Sequence, residues 1–293
     1  MFDVALLIQS MVTGIMLGGL YAIVGVGLSL IFGIMGLTNI AHGNLMILCS
    51  FLIMVFATNF VQNVMLALVL TIVVMMILGF LMQNFLVNKV IDKGAEPALL
   101  VTFGLSIIIQ NALTLIFGAD ARAIESSVAN VNVISTSYVS ISGAYLLNFV
   151  VAVAVILGLT VLIKRTYLGR AIRAASDNVR AAELMGVHTK LIYSITMCIA
   201  MITACIAGLL VGNTFVFYPY SGTQYLIIAF GVVVIGGMGS IGGTLLGGII
   251  LGLAQLLGSF FFGTGYQIFV GYIVMLVLLT IKPAGLLGNM KRK

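Results

Sequence analysis

The chain has 293 residues, of which 62% are hydrophobic and 7% are charged, and its formal net charge is +6. Such a chain cannot cover a core with a polar surface, so a soluble fold is excluded, and we expect a lipid bilayer and no nucleic acid around it. The 7 Asp and Glu residues all fall in termini or connecting segments. This placement predicts a membrane conduit that is powered from outside.

The N-terminal region has no charged residue between Val4 and Asn88. A stretch of this length crosses a bilayer several times, because one helical crossing takes about 20 residues. Runs such as Val64 to Leu81 are apolar on every face, which excludes a barrel with a polar interior. The spans are therefore helices, and this region holds three ordinary ones, or four if one is short or broken.

Further apolar spans follow between segments that contain charge or glycine. They are predicted at about 98–118, 144–163, 191–212, 224–236, 244–262 and 267–281. The total is nine or ten helices, or eight if a glycine-rich piece is re-entrant. We therefore expect one all-α domain over 1–293, a polytopic membrane helix bundle of about 8–10 transmembrane helices that pack closely through glycine.

The 13 Lys and Arg residues set the expected orientation. All of them except Arg122 fall into three clusters, at 89–93, 164–190 and 282–293. By the positive-inside rule the three clusters and the C-terminus are cytoplasmic, and the segment 119–143 is outside.

Two apolar segments are interrupted by glycine. The early one precedes a short polar run, and the late one divides two apolar runs. Broken helices in matching positions of two halves often mark a transport path, whereas the alternative is tight helix packing by small residues. For the substrate path we predict Ser29, Asn39, His42, Asn44, Gly236, Gly237 and Gly239.

His42 is the only histidine outside the basic loops. On a helix it shares a face with Asn39, three residues earlier. It has no acidic or Cys partner nearby, so neither a metal site nor a catalytic site is predicted. Two interpretations stay open: the polar cluster contacts substrate, or it ties helices together.

The basic loop 164–190 is long enough for two short helices separated at Ser176 and Asp177. Either residue can cap the second helix, and Gly186 suits its C-terminal stop. The second helix would present a small apolar knob ringed by charge, which fits docking on a protein or, alternatively, contact with anionic lipid. The coupling residues that we predict are Arg173, Val179, Arg180, Ala181, Ala182, Glu183, Met185 and Gly186.

At this loop the chain resembles the permease subunits of ATP-binding-cassette importers. Their loop typically reads Glu-Ala-Ala, three residues, then Gly, and the segment 180–186 matches except that Arg180 replaces Glu. The segments that extend the likeness nearly end to end are 27–43, 169–174, 236–243 and 282–288. Together they are similar to the branched-chain amino acid permeases of the LivH type.

The resemblance implies partners and a location in the cell (inner) membrane. Such permeases pair with a second, LivM-like permease, two cytoplasmic ATPases bind their loops, and an external binding protein delivers Leu, Ile, Val or a related small amino acid or amide. The chain contains no G-x-x-x-x-G-K-[ST] phosphate loop. ATP is therefore expected on the partner subunits, with no cofactor in this chain.

Other classes of protein stay open or are disfavoured by the same residues. A proton-coupled secondary transporter normally has an intramembrane carboxylate, which is missing here, but sodium could be held by carbonyls at a broken helix. A passive channel for small polar solutes also stays open. An enzyme is not expected, because the apolar runs offer only His42 as a reactive group.

Overall fold

The computed structural model describes residues 4–124, 132–135 and 140–288. Short strands β1, Asn132–Ser135, and β2, Ser140–Ser142, form an antiparallel pair. The α-helices in chain order are α1 Val4–Met35, α2 His42–Phe56, α3 Val64–Phe85, α4 Ala95–Phe117, α5 Gly143–Arg165, α6 Tyr167–Asp177, α7 Val179–Leu184, α8 Thr189–Thr214, α9 Gly222–Gly236, α10 Ile241–Phe262 and α11 Gln267–Ile281.

Within the described ranges, 8 helices are long and apolar enough to cross a membrane. Helix α2 is one of them because it continues through a π-helical turn at Ala57–Val61. Helix α9 is a shorter apolar helix of 15 residues. The expected all-α bundle is confirmed, and the uncharged N-terminal region contains three long helices, α1 to α3.

Helix α1 is the centre of the bundle, and every residue from Leu17 to Ile31 is buried. It crosses α10 at a distance that only glycine allows. A Cβ atom on Gly18 would lie 2.5 Å from the Cα atom of Ile249, and one on Gly252 would lie 2.4 Å from the carbonyl oxygen of Gly14. Without a hydrophobic driving force between helices in lipid, such close backbone contact supplies the packing energy.

Helix α2 begins in the interior of the bundle. The Nε2 atom of His42 lies 3.1 Å from the carbonyl oxygen of Val24, which is about 16 Å along α1 from its end at Met35, at 1.5 Å per residue. The chain turns out of α1 at Gly36, with φ +65°, and returns through a non-helical segment. The break expected after the early glycines is therefore confirmed.

Helix α9 also begins in the interior. After α8 ends at Thr214, residues 215–221 are non-helical. Gly222 then packs directly on α2, since a Cβ atom on Gly43 would lie 2.0 Å from the carbonyl oxygen of Gly222. The N-termini of two short helices thus meet in the middle of the bundle, and the helices run from there in opposite directions.

The late glycine-rich segment 236–243 divides two helices, as expected, but it is a turn between α9 and α10 and not a break inside the bundle. Positive φ angles at Gly237 (+103°) and Gly239 (+82°) make this turn possible. The break that matches the early one lies at 215–221, a non-helical segment that contains Pro219, which cannot donate a backbone hydrogen bond.

Two of the basic clusters lie at the same end of the bundle. The Nζ atom of Lys190 contacts Oδ2 of Asp92 at 2.9 Å, and Nδ2 of Asn88 donates to the carbonyl oxygen of Lys190 at 3.2 Å. Arg122 lies at the opposite end, where its backbone N–H donates to the carbonyl oxygen of Phe217 at 2.9 Å. The outlying cation is thus separated from the clusters, as its position in the sequence predicts.

The C-terminal segment joins the same end. Ser176 Oγ of α6 donates to the carbonyl oxygen of Gly33 at 2.7 Å. The Gly33 backbone packs on that of Gly239, since a Cβ atom on Gly33 would lie 2.8 Å from the Cα atom of Gly239. Next to this turn, the N–H of Leu286 donates to the carbonyl oxygen of Ile235 at 2.9 Å. One polar end therefore gathers the loop 164–190, the end of α1, the α9–α10 turn and the C-terminal segment.

The α1–α10 crossing yields a stability prediction. Gly18→Ala should lower the free energy of unfolding by about 1–3 kcal/mol, the usual cost of overpacking, because the added methyl group meets backbone. The matched control is Gly158→Ala on α5, where a Cβ atom meets nothing within 4 Å. The measurement is the fraction of monodisperse protein that remains after heating in detergent, and equal stability of the two variants would contradict the crossing.

Candidate transport and coupling sites

The four polar side chains predicted for the substrate path are buried inside the bundle. Each is at most 4% exposed, and they are Ser29, Asn39, His42 and Asn44. They surround the interior start of α2, so the break after α1 is what brings Asn39, His42 and Asn44 to this depth.

Asn39 and His42 shape the entry into α2. The Oδ1 atom of Asn39 accepts from the N–H of Ala41 at 3.0 Å. Because the carbonyl of Val24 can only accept, the Nε2 atom of His42 carries the proton and donates to it at 3.1 Å. The Nδ1 atom of His42 then has a free lone pair, and it has no partner among the described residues.

Asn44 ties α2 to α4. Its Nδ2 atom donates to the carbonyl oxygen and to the Oγ atom of Ser106, at 3.0 and 2.7 Å. The Oδ1 atom of Asn44 and the Oγ atom of Ser29 have no hydrogen-bond partner in the part of the chain that the structure describes. In this conformation the polar residues connect helices, and their contact with substrate stays a prediction.

The predicted glycines of the late segment lie away from this cluster. They are Gly236, Gly237 and Gly239, and all three are at the polar end. There Gly236 packs on Gly243, since a Cβ atom on Gly236 would lie 2.2 Å from the carbonyl oxygen of Gly243. Within the described ranges, no group of 3 or more His, Cys, Asp or Glu side chains could hold a metal ion.

The loop 164–190 forms the two predicted helices, but their boundary differs from the expected one. Helix α6 continues through Ser176 and Asp177, so neither residue caps α7. Asn178 is the cap, and its Oδ1 atom accepts from the N–H of Ala181 at 3.0 Å. Its extended backbone, φ −154° and ψ 106°, is the conformation that an N-cap residue adopts.

The C-terminal stop of α7 is confirmed at Gly186. Gly186 has φ +84°, and the N–H of Val187 donates to the carbonyl oxygen of Ala182 at 3.0 Å. These are the features of a Schellman stop. Helix α7 is therefore fixed at both ends.

Helix α7 presents apolar side chains to solvent. Leu184 is 88% exposed and Met185 is 84% exposed, whereas Ala182 is only 4% exposed and faces the bundle. We name five of the exposed residues the coupling surface: Val179, Arg180, Ala181, Leu184 and Met185. Leu184 was missing from the predicted set, because the helical spacing of Val179, Ala182 and Met185 pointed to a neighbouring face.

The other predicted coupling residues hold the loop together. Thr189 Oγ1 donates to Oε1 of Glu183 at 2.5 Å, which links α7 to α8. Arg173 Nη1 donates to the carbonyl oxygen of Ile163, which links α6 to α5. These bonds connect the two helices of the loop, α6 and α7, to α5 and α8.

The two histidines provide a matched test of the buried cluster. His42→Ala removes a fully packed ring and its bond to α1, and should lower the free energy of unfolding by about 2–5 kcal/mol, as large-to-small core changes do. His188 is exposed, so His188→Ala should change it by at most about 0.5 kcal/mol. Thermal unfolding of both purified variants measures the difference, and a harmless His42→Ala would show that the ring does not hold α2 on α1.

Comparisons with known proteins place the chain in a family. The profile of the family "Branched-chain amino acid transport system / permease component" matches residues 10–279. The permease LivH of Escherichia coli K12 and BraD of Pseudomonas aeruginosa are each 31% identical, over 96% of this chain and 96% of theirs. LivH of Salmonella typhimurium is 29% identical over the same shares. The chain therefore belongs to the permease components of branched-chain amino acid transport systems.

Proposed function

We propose that the chain is the membrane-spanning permease of an ATP-driven importer for branched-chain amino acids, or for a related small amino acid or amide. The observation that carries this proposal is the coupling surface. Leu184 and Met185 project 88% and 84% exposed from a helix fixed at both ends. Exposed apolar side chains on a rigid element fit a protein partner, and a chain without a phosphate loop needs one for energy.

The partner that we assign to this surface is a pair of ATP-binding subunits in the cytoplasm. The basic residues of the polar end support a cytoplasmic position for that end, including the C-terminal segment, by the positive-inside rule. The names of the relatives, high-affinity branched-chain amino acid transport permeases, support the substrate class. A second, LivM-like permease and an external binding protein complete the proposed importer.

Motion of the coupling surface has a direct route into the bundle. Helix α6 buries Ile172 and Ala175, which are at most 1% exposed, and its Ser176 donates to Gly33 near the end of α1. Gly33 touches Gly239 in the turn that connects α9 to α10. A shift of α6 and α7 would therefore move α1 and the interior start of α9 together, because packed helices move as rigid elements.

Charged residues on the coupling surface test this assignment. Leu184→Asp with Met185→Asp should reduce ATP-dependent leucine uptake at least tenfold, because burying two carboxylates in an apolar contact is costly. The matched control, Leu184→Met with Met185→Leu, should keep uptake within about twofold, since volume-conserving apolar changes are tolerated. The measurement is radiolabelled leucine accumulation in vesicles that contain the complete transporter.

Two further outcomes of that experiment are decisive. Full uptake by the Asp variant would contradict docking at α7 and favour contact of this helix with lipid. Uptake by vesicles that hold the chain without any ATPase would contradict the importer itself and favour an ion-coupled transporter or a channel.

Cysteine labelling tests the orientation. His188→Cys, exposed at the polar end and outside the coupling surface, should react with a membrane-impermeant maleimide only after the cells are opened. Arg122→Cys should react in intact cells whose outer layer admits the reagent. The natural Cys49 and Cys205 are buried, so a Cys198→Ala background suffices. Labelling of position 188 from outside would reverse the proposed orientation.

A further inference from the structure

A cavity opens at the end of the bundle opposite the polar end. Its volume is about 360 Å³, and it lies between α1, α9, α10 and α11. The walls include no Lys, Arg, Asp or Glu, and five aromatic side chains supply much of the surface: Tyr21, Phe215, Tyr218, Tyr225 and Tyr272. The size suits a small amino acid, and none of the path residues predicted from the sequence lines it.

The N-terminus of α9 opens on this cavity. Ser221, Gln224 and Tyr225 of its first turn are in the wall. The N-cap residue Ser221 makes no capping bond with its side chain, and the helical bonds begin with the N–H of Tyr225. The N–H groups of 222–224 thus have no acceptor in the described structure, and together with the helix dipole they favour an anion.

Two buried side chains add donors at the same place. Tyr225 is 7% exposed and Gln255 is 1% exposed, and both line the cavity. The Tyr21 hydroxyl donates to Oε1 of Gln255 at 2.6 Å, which fixes the amide with Nε2 as a free donor. Gln255 Nε2 and the Tyr225 hydroxyl make no further hydrogen bond within the described residues, so both donors are available to a ligand in the cavity.

We propose that this cavity is the outer binding site of the permease and that it recognises the carboxylate of a small α-amino acid. The first-turn amides of α9, the Tyr225 hydroxyl and the Gln255 amide receive the carboxylate. The apolar walls at Ile228 and Ile268 receive the aliphatic side chain. The tyrosine rings face the ammonium group, which they attract through their negative faces. This assignment rests on the proposed function and adds the recognition chemistry to it.

Saturation-transfer NMR on the full chain in nanodiscs tests the assignment without any ATPase. L-Leucine and 4-methylpentanoate, which keeps the carboxylate alone, should bind, whereas isoamylamine, which lacks it, should give no signal above empty nanodiscs. Tyr225→Phe and Gln255→Leu should each weaken leucine binding about tenfold, the usual effect of losing a hydrogen bond to a charged group. The matched control Thr71→Val removes a buried hydroxyl outside the cavity and should leave binding unchanged.

The outcomes separate this site from the importer proposal. Binding of isoamylamine as strong as that of leucine, absence of leucine binding in the wild type, or unchanged binding in both cavity variants would each overturn the assignment. Expected binding in nanodiscs without ATP-driven uptake by the complete transporter would contradict the importer alone. Thermal stability of each variant within a few degrees of the wild type confirms that loss of binding is local.

Discussion

The contact between the starts of α2 and α9 is the constraint on which the rest of the structure depends. A Cβ atom on Gly43 would lie 2.0 Å from the carbonyl oxygen of Gly222, and one on Gly222 would lie 1.8 Å from Oδ1 of Asn44. The two helices approach this closely because glycine has no side chain, and the contact lies in the first turn of each helix. The segments 36–41 and 215–221 lead to these helix starts inside the bundle, and their backbone groups need protein partners there, because lipid offers none.

This arrangement gives the two ends of the molecule different properties. Helix α2 runs from the contact away from the polar end, and α9 runs toward it, ending at Gly236 beside the C-terminal segment. The positive end of the α9 dipole is thus held in the interior, at the floor of the cavity, while its other end touches the parts that bond to α6. One helix connects the binding chemistry to the coupling surface, and a displacement of its end changes the position of its first turn.

The sequence predicts the helices well, because length and charge decide them: the predicted spans 98–118 and 144–163 match α4 and α5 within a few residues. It predicts the first break because Gly36 stands before a polar run, but it misses the second, since 215–221 is mostly apolar and only Pro219 signals it. Ser176 and Asp177 looked like caps because the sequence does not show that α6 extends past them to Asn178. The cavity is beyond sequence reasoning, as Tyr21 and Gln255 meet only through the α1–α10 crossing.

The absence of charge in the described cavity wall has a mechanical consequence. A carboxylate held by neutral donors gains less than one paired with Arg, because the strongest polar contacts need charge on both partners. Weak binding suits a conduit, since a solute that is held tightly at one side does not leave toward the other. The same weakness means that the site cannot itself select a direction. Direction has to come from a partner that changes the conformation of the bundle. On the described surface, the exposed apolar side chains of Leu184 and Met185 provide a contact for such a partner.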